Sequence, residues 1–327
     1  MKIKHFSLII ISLLLTACSD RMAYGDVNPQ YEIVRFDKVL YDYLNGEDLS
    51  EIPEAYLPFL NELGEKVLRI GGIDSAGFYE RLRNYYLNPA LMELYAEEQS
   101  IFNDIEDINK ELSQGMERFI GYFPDIEPPQ IYMHVSGLLQ NVIVTEEFLS
   151  LSADKYLGSD YLLYQEYFED YRLQGMTPER IAPDFLLGFM MANLDFEGDE
   201  SVLLDRMLYE GKLRYILSKL IPKKKEWEYV GYNKEQNDWC KKHEKLIWHR
   251  ILEQNQLFTS DFAVTNQYMR EAPYTTTLPA ESPGRAGVWL GYQIIKSYIK
   301  KNPKTTIPQL MELTDYQTLL KDSKYKP

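Results

Sequence analysis

Gln130–Val135 (QIYMHV), 141–145 (NVIVT) and Glu147–Leu151 (EFLSL) decide the fold. They are the chain's clear β-rich segments, dense in β-branched and aromatic residues. Pro128-Pro129 bounds the first on one side and Ser136-Gly137 on the other. Together they predict a small meander or sheet in mid-chain. Outward from it, nearly everything reads as helix.

Toward the N-terminus, Tyr31–Phe36 suits a short strand running into a helix over Asp37–Leu44. Helical stretches follow over Pro53–Leu68, Ser75–Leu87, Pro89–Tyr95 and Asn103–Phe123. In the last, Ile105, Ile108, Leu112, Met116, Phe119 and Ile120 recur at three- and four-residue spacings and mark one apolar face. After Gly158 the pattern is helical over Tyr161–Tyr171, Pro178–Leu194, Glu200–Leu220, Lys234–Gln256, Asp261–Tyr268, Gly287–Lys301 and Ile307–Leu313. Thr177 before Pro178 reads as a helix cap, as do Ser260 and Asp261. No internal repeat is visible. The expectation is a helix-dominated α+β domain over 31–327, with the sheet embedded in it.

The first seventeen residues read differently. Lys2 and Lys4 precede an apolar run over Phe6–Leu15, which ends at Thr16, Ala17 and Cys18. A basic start, an apolar stretch too short to span a bilayer and small residues before a cut site make a signal peptide over 1–17. The ending resembles the bacterial lipobox. That resemblance implies that Cys18 carries the lipid and becomes the mature N-terminus. Each buried methylene of an acyl chain contributes about 0.8 kcal/mol, so a multi-chain anchor holds permanently. Residues 18–30 read as a polar tether, and Ser19 after the cysteine fits delivery to the outer membrane.

The 327 residues are 45% hydrophobic and 26% charged, ordinary globular values. A net charge of −15 argues against nucleic acid as a partner. The compact basic run Lys223–Lys225 reads as a solvated loop. The 26 tyrosines suit either core edges or a recognition surface, with core edges the simpler reading. With Cys18 lipidated, Cys240 is left alone and reads as a small buried hydrophobe.

Signals for catalysis are sparse. His243-Glu244 opens like a His-Glu-x-x-His zinc motif, but Ile247 stands where the second histidine belongs. His249 lies six residues on, about 600° around a helix, so the two rings diverge. His134 reads as a partly buried strand residue. Nucleophile-elbow, phosphate-loop and dinucleotide signatures are absent. Acidic clusters such as Asp104, Glu106 and Asp107 read as solvated helix faces. No metal ligand set, cofactor or catalytic residue is expected.

Several blocks carry a resemblance: Arg35–Asp37 (RFD), Gly121–Pro124 (GYFP), Tyr156–Asp160 (YLGSD), Leu203–Lys212 (LLDRMLYEGK), Trp239–Trp248 (WCKKHEKLIW), Ala272–Tyr274 (APY), Ser282–Gln293 (SPGRAGVWLGYQ) and Ser323–Pro327 (SKYKP). In order and content they resemble the gliding motility-associated lipoprotein family GldB. The resemblance implies an outer-membrane lipoprotein with no established enzymatic activity. The order of strand, helix, Glu-Gly helix and Gly-x-x-x-Gly-Tyr helix is also similar to predicted zincin-type proteases. There Glu210 would be the third metal ligand, but the preceding helix, Asp184–Ala192 (DFLLGFMMA), has no histidine. A degenerate zincin-like architecture without metal is the implied reading.

The expected function is a non-catalytic, lipid-anchored interaction protein of the outer membrane, facing the periplasm and holding an envelope protein partner. A metallopeptidase with unrecognised ligands and a glycan-binding lipoprotein are the alternatives. The candidate partner or ligand cleft comprises Glu210, Arg285, Trp289 and Tyr292. Gly284, Gly287 and Gly291 allow close backbone approach to a helix or a ligand. Arg285 can grip a carboxylate bidentately or pair with an acidic helix such as that of Glu210.

Overall fold

A computed structural model describes residues 31–46, 48–139, 142–145 and 147–327. The expected signal peptide over 1–17, Cys18 and the expected tether over 18–30 lie outside the described residues. The sheet has four strands: β1 (Ile33–Arg35), β2 (Gln130–His134), β3 (Val142–Val144) and β4 (Phe148–Ser152), in the order β1-β2-β4-β3. β1 pairs parallel with β2, and β2 parallel with β4. β3 runs antiparallel to β4, with Ile143 opposite Ser150. The mid-chain segments are therefore a mixed sheet and not a meander, because β4 lies between β2 and β3. Gly137 (φ 71°) and Leu138 (φ 66°) take left-handed conformations in the turn after β2.

β2 is buried at four of its five positions and β4 at all five. Such strands are covered on both faces. Successive side chains point to opposite faces, and each face has its own core. Ile131, Met133, Leu149 and Leu151 join the large core built by the C-terminal helices. Tyr132 and Phe148 join a second core with Phe36, Phe59, Leu82 and Tyr86 from the N-terminal helices. Phe59 stacks on Tyr132 with ring centroids 4.3 Å apart.

α1 (Phe36–Gly46) follows β1 directly, where the sequence places it. α2 (Pro89–Ile101) runs six residues past its expected end at Tyr95. α3 (Glu106–Tyr122) buries Leu112, Met116 and Phe119, the face that the spacing predicts. α4 (Ile181–Asn193), α5 (Leu203–Leu220) and α6 (Ala286–Lys301) form the centre of the C-terminal half. α5 is buried on most of its circumference, and its buried positions include Lys212 and Arg214. It crosses α6 at backbone contact: a Cβ on Gly291 would lie 1.8 Å from the Met207 carbonyl oxygen, and one on Gly211 would lie 2.4 Å from the Gly291 carbonyl carbon. The close-approach reading of Gly291 is met by a neighbouring helix.

Some local expectations need correction. Lys234–Gln256 is two helices, Lys234–Lys242 and Glu244–Glu253, joined at His243. The His243 ring stacks on Trp239 at 4.3 Å, and its Nδ1 lies 2.8 Å from the Trp239 carbonyl oxygen. Tyr161–Tyr171 is two single turns, Tyr164–Tyr167 and Asp170–Leu173. Thr177 occupies the cap position before Pro178, but its side chain makes no capping bond. Asp261 does cap, accepting from the amides of Ala263 (2.9 Å) and Val264. The sequence reading missed α7 (Tyr316–Ser323), which packs on α6. Twelve tyrosines are buried, and among the described residues Tyr167 and Tyr274 alone are more than a third exposed. The tyrosines fill core edges. Cys240 is fully buried, and burial pushes its thiol up to about 12.

Candidate anion-binding site

Two adjoining cavities, of about 530 and about 120 Å³, share Tyr156, Arg180, Asp184 and Arg285. Each of these side chains has a different structural origin. Arg180 ends a 3₁₀ turn (Pro178–Arg180) that runs into α4, and Asp184 lies one helical turn later. Arg180 Nη2 donates to Asp184 Oδ1, and Arg180 Nη1 donates to the Glu228 carbonyl at 2.6 Å. Tyr156, just beyond β4, donates to Asp184 Oδ2 at 3.0 Å. Both oxygens of Asp184 are thereby engaged. Burial first, and the Asp184 charge second, hold the Tyr156 phenol well above its usual range.

Arg214 comes from α5 and lines the larger cavity, yet the residue is only 5% exposed. Its Nη2 lies 3.0 Å from Glu210 Oε2, an ion pair without hydrogen-bond alignment. Among the described residues, its Nε and Nη1 have no acceptor. Burial pushes the guanidinium down to about 10, and the nearby charges of Arg285 and Arg180 act in the same direction. It still carries its charge at neutral pH. Buried donors are nearly always satisfied, so two orphans on one cation are unusual.

Arg285 caps α6 in a left-handed conformation, φ 60° and ψ 27°. That geometry is uncommon for a non-glycine residue and costs about 1 kcal/mol. The neighbouring turn enforces it. Tyr232 donates to the Gly284 carbonyl at 2.6 Å, Thr275 Oγ1 donates to the Pro283 carbonyl at 2.8 Å, and the Ala286 amide donates to Thr275 Oγ1 at 3.3 Å. Among the described residues, the Arg285 guanidinium has no hydrogen bond and no ion pair. It meets Arg180 over Gly231: a Cβ on Gly231 would lie 3.4 Å from Arg285 Nη1 and 3.8 Å from Arg180 Nη2.

Lys155 and Arg172 extend the positive charge into the smaller cavity, where Lys155 Nζ sits 4.8 Å and Arg172 5.4 Å from the Phe168 ring centre. Five cations line the two cavities against the carboxylates of Asp184 and Glu271, with Glu210 against Arg214 as a third. In a chain of net charge −15, this is a local inversion of sign. The remaining wall of the larger cavity is apolar: Val142, Val144, Leu187, Met191 and Ala192.

Of the four residues expected from sequence, the structure brings Glu210 and Arg285 together around Arg214. Arg285 alone of the four lines the cavities; Glu210 stands behind Arg214, and Glu210, Trp289 and Tyr292 line neither cavity. Trp289 is buried and donates to Asn237 Oδ1 at 3.0 Å, and Tyr292 is buried in the same core. Glu210, the implied third metal ligand, is held by Arg214 instead. Arg180, Asp184 and Arg214 were missed. Their signal was present as two i,i+4 opposite-charge pairs, 180/184 and 210/214, but such pairs usually decorate solvated faces.

His134 is fully buried and not partly so. Its Nδ1 lies 2.7 Å from Ser150 Oγ, its Nε2 has no partner, and burial pushes the ring down to about 3. Among the described residues, no group of three His, Cys, Asp or Glu side chains is placed to hold a metal ion. No helix among them is long and apolar enough to cross a membrane.

Fold and site define a helix-dominated α+β protein with an arginine-lined cleft. The chain belongs to the family described as gliding motility protein GldB, which matches residues 18–327. The match begins at Cys18, and the family's name marks it as one of lipoproteins. No curated protein and no solved structure matches the chain.

Proposed function

We propose that this GldB-family lipoprotein is a non-catalytic docking protein of the cell envelope. It is anchored through Cys18 in the outer membrane, faces the periplasm and holds an envelope protein partner in the arginine-lined cleft. The observation that carries this reading is the cleft's charge: Arg214 and Arg285 present donors that no carboxylate among the described residues satisfies. A site made of clustered cations, with both oxygens of Asp184 already engaged, suits recognition of an anionic group on a partner. The tether would leave the folded domain free to reach a partner while the lipid keeps it on the membrane.

Photo-crosslinking from position 191 in intact cells tests this reading. Met191 is 52% exposed at the cavity rim. A discrete adduct with an envelope protein is expected, in the outer-membrane fraction and dependent on Cys18. Absence of any adduct, or hydrolysis of envelope peptides by the purified chain, would refute it.

A further inference from the structure

We infer that the cleft recognises a free carboxylate at the end of an apolar peptide segment, such as the C-terminus of a partner protein. This deepens the docking reading and rests on it.

Three observations converge. Arg214 is a cation more than nine-tenths buried, lines the cavity and, among the described residues, leaves Nε and Nη1 without acceptors. A guanidinium presents paired donors whose geometry matches the two oxygens of one carboxylate. Arg285 is held in a left-handed turn, its charge near that of Arg214, and among the described residues its guanidinium has no hydrogen bond or ion pair. The third observation is the apolar part of the lining. Val144, Leu187 and Met191 line the same cavity within reach of a short apolar side chain.

The shape separates a peptide end from other anions. At about 530 Å³ the larger cavity has room for a terminal residue and its neighbour. Its apolar rim is open, with Val144 42% and Met191 52% exposed. An acyl chain needs an enclosed apolar tunnel, and this wall is a shallow ledge. Inorganic phosphate would use the cations and ignore the ledge. A carboxylate bonded to Arg214 and Arg285, followed by apolar side chains on the ledge, uses both.

The test is fluorescence anisotropy on the full-length lipoprotein in detergent micelles. The probe is an N-terminally labelled hexapeptide ending in Ala-Leu-Leu with a free carboxylate. Its C-terminal amide, laurate and inorganic phosphate are the other arms. The free acid is expected to bind at least tenfold more tightly than the amide. Arg285→Asn removes the charge with a residue that tolerates left-handed geometry, and it is expected to abolish that difference. Arg285→Lys is expected to retain part of it. The double variant Glu210→Gln/Arg214→Met removes the second cation without stranding its partner, and its near-ultraviolet circular dichroism reports whether it folds. Equal binding of acid and amide, or an unchanged preference in Arg285→Asn, would overturn the proposal. Displacement of the peptide by millimolar phosphate would make the site an inorganic-anion site, and tighter binding of laurate would make it an acyl site; either result overturns it. If position 191 still crosslinks an envelope protein in Arg285→Asn cells, docking stands and the carboxylate chemistry fails. If wild type crosslinks nothing, the docking reading itself fails.

Discussion

Gly291→Ala should be among the most damaging conservative changes in this chain. The added Cβ would lie 1.8 Å from the Met207 carbonyl oxygen, and real Cβ atoms essentially never come within 3.0 Å of another heavy atom. The obstacle is backbone and cannot rotate away. α5 and α6 must part by about 1.2 Å, the difference between those two distances. An extra methyl in a packed core typically costs about 1–3 kcal/mol. Here the gap also loosens the whole helix pair, so the loss should be about 3–5 kcal/mol. In a domain of this size that lowers the melting temperature by roughly 6–10 °C. Gly121→Ala is the internal control, since nothing beyond its own stretch of helix lies within 4 Å of its added Cβ, in the last turn of α3. Exchanging glycine for alanine in an open helix stabilises by about 0.5–1 kcal/mol. Thermal denaturation of both variants, followed by circular dichroism at 222 nm, reads the contrast. A Gly291→Ala melting temperature within 2 °C of wild type would refute the backbone-contact account of α5 and α6.

Buried ionisable groups give three further expectations. Lys212 donates to the Leu313 carbonyl, and burial pushes its ammonium down to about 8. The unfolded chain therefore binds the extra proton between about pH 8 and the usual lysine value, so stability contributed at this position rises with pH across that window; urea titrations of wild type against Lys212→Met should show the slope only in wild type. Glu98 is held well above its usual range, chiefly by burial and then by the Asp37 charge. The native state binds the extra proton, so this group's contribution falls as pH rises from the ordinary glutamate value through the raised one, and Glu98→Gln should be at least as stable as wild type at pH 7. His134 is pushed down to about 3 by burial, so stability is lost as pH falls from the usual histidine value toward 3. His134→Leu should flatten that acid limb, even though it gives up the contact with Ser150.

The fold class was legible because β-propensity and the 3.6-residue period are local. The 130–151 segments read as strands, and the α3 face read as a stripe, from neighbours alone. Strand order was not legible: that β4 sits between β2 and β3 is decided by two cores on opposite faces of the sheet, which no local pattern encodes. The break at His243 was hidden because the apolar spacing continues across it. At the site, Arg285 stood out in a glycine-rich turn, and Glu210 stood out beside Gly211. Arg214 did not, because its isolation depends on α4, α5 and the α6 cap converging from three distant stretches. Trp289 and Tyr292 share the Arg285 motif, but they face the core, where helix periodicity sends them once Gly291 is pressed against α5.

The central claim is that uncompensated positive charge in the cleft holds a peptide carboxylate. The most direct measurement is the melting temperature of the full-length protein with saturating peptide ending in Leu-Leu. At a hundred times the dissociation constant, binding to the native state alone adds about 2.7 kcal/mol, which is a rise of roughly 5 °C. The account predicts that rise for wild type with the free acid, and none with the amide or in Arg285→Asn. The same rise under all three conditions would contradict it.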